Sequence, residues 1–88
     1  MKKIIVTVTD DRGRFAIDLE LPTDVKMNKL GADIVEVLHS VDPACRYDSG
    51  CVTFLCSRTE AFLREEDTLE DAGVWNGDLL LIMRKRHG

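Results

Sequence analysis

Apolar and polar residues alternate over residues 14–21, RFAIDLEL, as a half-buried strand requires. Phe15, Ile17, Leu19 and Leu21 take one side, and Arg14, Ala16, Asp18 and Glu20 the other. The run before it, KIIVTVT at 3–9, is rich in β-branched residues and sets Ile4, Val6 and Val8 on one face. Between them DDRG, 10–13, supplies turn formers, with Gly13 where a positive φ is needed, so the two runs predict a hairpin. Pro22 stops the second strand, and the period then changes. Met27, Leu30, Ile34, Val37, Leu38 and Val41 recur at three and four residues, which predicts a helix with one core-facing stripe. Thr23 or Asp24 is its expected N-cap and Asp42-Pro43 its stop.

Residues 44–51, ACRYDSGC, have no apolar period and read as a loop into a third strand at about 51–57. A short fourth strand is expected at Ala61–Leu63. DTLEDAG, 67–73, has the signature of a one-turn helix: Thr68 as N-cap, Asp71 as its capping-box partner, Gly73 as the stop. Asn76-Gly77-Asp78 then turns the chain into a last strand, Leu79–Met83. The economical packing of this order is an α+β fold, a mixed four- to five-stranded sheet with the long helix across one face. That is a β-grasp plan, one domain over 1–83 with a basic flexible tail at 84–88.

Composition narrows the function. The net charge is −4 although Arg84, Lys85 and Arg86 cluster at the end, so the body is acidic and nucleic acid is not an expected partner. After Met1-Lys2-Lys3 the apolar run Ile4-Ile5-Val6 is too short for a signal sequence or a membrane span, which predicts a cytoplasmic protein with no direct membrane insertion. Cys45, Cys51 and Cys56 match no zinc or redox spacing and read as free thiols, with a Cys45–Cys51 bridge as the alternative under oxidation. No nucleophile has a recognisable base, no glycine motif cradles phosphate, and Glu65-Glu66-Asp67 lacks calcium-loop spacing. No catalytic residue, cofactor or metal is expected.

The segment Leu69, Asp71, Gly73, Val74, Asn76, Gly77, Asp78, Leu80 and Ile82 follows the form L-x-D-x-G-[IV]-x-N-G-D-x-L-x-I. In this it resembles the ubiquitin-like superfamily and, within that, the YukD/EsaB family of small proteins associated with bacterial type VII secretion. The residue-level likeness covers about 67–82, while the element order extends it over nearly the whole chain. The resemblance implies a non-catalytic accessory or regulator of a type VII-like secretion system, with secretion components as protein partners.

Candidate site residues follow from the last strand. If Leu80 and Ile82 face the helix, Leu79, Leu81 and Met83 face outwards, where Ile5 and Leu55 or Cys56 can join them. Such an apolar outer face is expected to bind a partner, to be covered by loop 44–50, or to form a homodimer. Trp75 is expected either as a half-buried lid on the core edge or as a partner anchor, with the lid preferred. His39 is expected to serve the helix C-terminus. The alternative function is a modifier or sulfur carrier acting through the Gly88 carboxylate; His87 before it, where such proteins use a second glycine, argues against this reading. A third reading seats the domain on a larger membrane assembly through Arg84–Arg86.

Overall fold

A computed structural model describes residues 2–48 and 50–85. Five strands and one helix follow in the order β1 (Lys3–Asp10), β2 (Ala16–Pro22), α1 (Met27–Val41), β3 (Val52–Cys56), β4 (Ala61–Leu63) and β5 (Leu79–Arg84). They form one mixed sheet of strand order β2-β1-β5-β3-β4, in which only the central β1–β5 pair is parallel. This is the ubiquitin-like β-grasp, with α1 across one face.

The β1–β2 hairpin closes as its sequence dictates. Gly13 takes φ 66° and donates to the Asp10 carbonyl, and the Asp10 carboxylate accepts from the Arg14 N–H at 2.7 Å. Its register pairs Ile4 with Leu21, Val6 with Leu19 and Val8 with Ile17, so the alternation of both strands turns apolar residues to the helix together.

The helix differs from expectation at its start and in its stripe. Its N-cap is Lys26, which contributes no side-chain bond, rather than Thr23 or Asp24. The first helical N–H groups are instead satisfied from afar, Met27 donating to the Asp67 carbonyl and Asn28 to that of Glu65, while Thr23 is buried and bonds back to the Lys2 carbonyl. The stripe is also rotated. Met27, Leu30, Gly31, Ile34, Val35 and Leu38 are buried, whereas Val37 and Val41 are exposed. Gly31 lies under Phe54, where a Cβ would meet the ring at 3.2 Å, and this contact sets how closely α1 approaches β3.

Residues 68–74 carry both caps expected there, around hydrogen-bonded turns and not a regular helix. Asp71 N–H donates to the Thr68 hydroxyl and Thr68 N–H to the Asp71 carboxylate, at 3.0 and 3.4 Å. Gly73, at φ 71°, donates to Glu70 and Val74 to Leu69, the bond pair of a Schellman ending. Start and stop signals are so close that no further turn fits between them. The last strand runs one residue past the expected Met83, and Lys85 N–H still donates to the Cys51 carbonyl.

Candidate functional site

Strand register decides which residues share the face opposite α1. Thr9 pairs with Ala16 and Leu81, Leu81 with Leu55, and Leu55 with Phe62, so these side chains form one row across all five strands. Thr53 and Met83 pair in the next row on one side, Thr7 and Leu79 on the other. Ile5 lies beyond Thr7 on the same face. All five residues marked from the sequence, Ile5, Leu55, Leu79, Leu81 and Met83, are therefore on this outer face. Cys56, the other option offered for β3, is fully buried on the helix side. Ile5 is 48% exposed and Phe62 58%, while Leu55, Leu81 and Met83 are half-buried among their neighbours. The described residues of loop 42–51 pack elsewhere: Cys45 and Tyr47 lie against the core, and His39 bonds the Tyr47 carbonyl at 2.7 Å. His39 thus ties a loop to the helix instead of capping helical carbonyls.

A second group of residues borders this face where β5 begins. The backbone of Ile5 accepts from Gly77 N–H and donates to the Asn76 side chain at 2.8 Å, which fixes the 75–78 turn against β1. Asp78, almost fully buried, accepts from Arg58 through both carboxylate oxygens, at 2.9 and 3.1 Å, and from Trp75 N–H at 2.7 Å. The Arg58 guanidinium also donates to the Gly73 carbonyl and stacks 3.9 Å from the centre of the Trp75 ring. Hydrogen bonds from Arg58 hold the Asp78 carboxyl below its ordinary value against the opposing effect of burial, and Trp75 N–H adds to the same direction. Trp75 is 64% exposed, so it is not the lid expected over the core edge. It stands on Arg58 and borders a cleft of about 330 Å³ with Lys2, Ile4, Thr23 and Glu70.

Phe62 and Arg58 were not marked from the sequence. A three-residue strand gives no measurable period, and Arg58 acquires its role only when the end of β3 meets the start of β5. The three cysteines are free, Cys56 buried, Cys45 half-buried and Cys51 exposed. Gly88, the candidate handle, lies outside the described residues, as do Arg86 and His87. Among the described residues no group of three His, Cys, Asp or Glu is placed to hold a metal ion, and no helix is long and apolar enough to cross a membrane.

Residues 4–82 match the family described as "WXG100 protein secretion system (Wss), protein YukD". The chain belongs to the YukD family. Solved structures place this YukD family member among ubiquitin-like folds. The ubiquitin-like domain of the Mycobacterium tuberculosis type VII secretion system protein ECCD1 is 29% identical, with a TM-score of 0.74 over 94% of this chain and 99% of that one. Caldiarchaeum subterraneum ubiquitin, 14% identical, superposes with a TM-score of 0.73 over 99% of each chain, a likeness of fold alone. The N-terminal ubiquitin-like domain of the 4931431F19Rik protein, 16% identical, gives 0.73 over 98% of this chain and 78% of that one. No curated protein matches the YukD family chain.

Proposed function

We propose that this YukD family protein is a non-catalytic binding module that acts in the cytoplasm and docks on another protein of a type VII-like secretion machine through its outer sheet face. The observation that carries this reading is the apolar row Leu81, Leu55 and Phe62, flanked by Leu79, Met83 and Ile5 and left open on the side away from α1. Contiguous exposed apolar surface of this kind is typical of contact surface. Trp75 is the anchor at its border: a large ring, already immobilised on Arg58, loses little rotamer freedom when a partner covers it. The occupant is taken to be a different protein; a net charge of −4 on each chain adds only modest, salt-screened repulsion against a second copy. A related domain occurs within a type VII secretion protein, which supports placing this one against such a component.

The test is affinity purification of the N-terminally tagged chain from its own host under native conditions, run beside the Leu81→Asp and Ile5→Asp variants. Secretion proteins that co-purify with the wild type and are lost from both folded variants support the docking face. Equal recovery by all three removes it. A concentration-dependent dimer in sedimentation, broken by Leu81→Asp, would replace the heterologous partner with a second copy. A parallel denaturing purification reads out the tail: adducts or sulfur on Gly88 would favour the handle instead.

A further inference from the structure

The other unpartnered surface is the edge of the sheet at β2, together with the flank of α1 turned away from β3. Thr23 N–H donates to the Lys2 carbonyl, so in this register residues 17, 19 and 21 turn their backbone groups to β1, whereas those of Ala16, Asp18 and Glu20 point away from the sheet. The opposite strand confirms the phase, since Ile5 and Thr7, which face Glu20 and Asp18, spend their N–H groups on Asn76 and Asp78. β2 is the end of the strand order, and it therefore presents outward N–H and C=O groups at three alternate residues until Pro22, which has no N–H to offer.

The two sides of this edge differ chemically. Towards the helix, Phe15, Ile17 and Leu19 are only half-buried. Gly31 meets Phe54 and His39 reaches the loop into β3, which fixes the β3 side of α1. Val37 and Val41 each lie two residues from His39, roughly 200° around the helix, and so occupy the flank of α1 turned away from β3. Both are exposed, Val41 at 61%. Away from the helix the edge carries Asp18 and Glu20, both exposed, Asp18 accepting from the Thr7 hydroxyl at 2.6 Å and Glu20 in a loose surface pair with Lys3 at 3.8 Å, and Asp33 lies one turn before Val37 on the helical rim.

We propose that this edge takes up an extended segment of another protein in which apolar and basic residues alternate. The segment adds a strand beside β2: its backbone pairs with Ala16, Asp18 and Glu20, its apolar side chains fill the strip between Phe15, Ile17, Leu19 and the two valines, and its lysines or arginines meet Asp18 and Glu20. A second copy is the wrong occupant, because β2 against β2 would set these carboxylates opposite one another. Asp18 and Glu20 stand on the outer sheet face beside Thr7 and Ile5, but the backbone edge and the apolar strip do not involve the Leu81–Leu55–Phe62 row.

The experiment is a titration of the isotope-labelled full chain with a short capped peptide of alternating valine and lysine, followed by backbone NMR. The amides of Ala16, Asp18 and Glu20 should shift and gain protection from exchange, with smaller shifts at Val37 and Val41. Reversing Asp18 and Glu20 to Lys should weaken binding roughly tenfold at low salt, and Asp18→Pro, which removes an outward N–H while sparing the β1 ladder, should abolish it. Leu81→Asp should bind as the wild type does, which separates this edge from the outer face. The proposal falls if millimolar peptide leaves the β2 amides unmoved, if a valine–glutamate peptide binds equally, or if the shifts map to Leu55 and Leu81. It falls also if the β2 amides shift with protein concentration alone, which would make a second copy the occupant.

Discussion

Asp78 holds four things at once: the Arg58 guanidinium, the Trp75 N–H, the buried Cys56 thiol and, through its own carbonyl, the Thr7 N–H of β1. Asp78→Asn keeps the size but loses the charge-assisted bonds, and a cost of about 2–3 kcal/mol is expected in denaturant unfolding. The pH dependence has a definite sign. The folded carboxyl is held below its ordinary value of 3.8, so its contribution is complete above that pH and is lost as pH falls below it through the folded value. Wild type and Asp78→Asn should therefore converge in stability under acid. Nearby, Glu60 closes the β3–β4 turn at φ 55°, an arrangement in which an L side chain is strained. Glu60→Gly should raise stability by about 0.5–1 kcal/mol, read as a higher melting temperature. The sequence showed Asp78 as a turn residue and as part of the N-G-D run of the family motif, with no sign of an ion pair. Its ion pair with Arg58 spans strands that only the assembled sheet brings together, and no local pattern encodes it.

Secondary elements were more legible than the contacts between them. Strict alternation placed β2, although it runs Ala16–Pro22 and takes in the proline expected to stop it, and Asp42-Pro43 stopped α1 where expected, since both signals are local and steric. The helix start was misread because its partners are the carbonyls of Glu65 and Asp67, which the chain supplies only after β4. The stripe was read too wide: Val37 and Val41 have the right spacing, but they lie on the flank away from His39 and stay exposed. Gly31 is the informative exception inside α1. Glycine costs a helix about 1 kcal/mol relative to alanine, yet a Cβ here would press on Phe54. Gly31→Ala should accordingly be close to neutral, the propensity gain offsetting the contact. Gly31→Val should cost about 2–3 kcal/mol through overpacking and a β-branched helix residue, measured by chemical unfolding.

For the molecule as a whole, the sheet separates a structural face from an open one. Alternation within β5 made this visible in advance, since Leu80 and Ile82 are fully buried while Leu79, Leu81 and Met83 are not. Leu81→Asp should therefore leave unfolding within about 1 kcal/mol of wild type, whereas Leu80→Asp, which buries a charge with no partner, should prevent folding. Circular dichroism of both variants checks the contrast. The parallel pairing of β1 with β5 has one more consequence, for synthesis. The strand at the centre of the sheet is the last of the five to be made, and until it arrives β1 and β3 have no common neighbour. A growing chain can form its first hairpin and nascent helix on the ribosome but cannot close its core until residues 79–84 clear the exit tunnel. Folding is thereby coupled to completion of the sheet, and a product ending at Asp78 should expose its apolar interior and be removed by proteolysis.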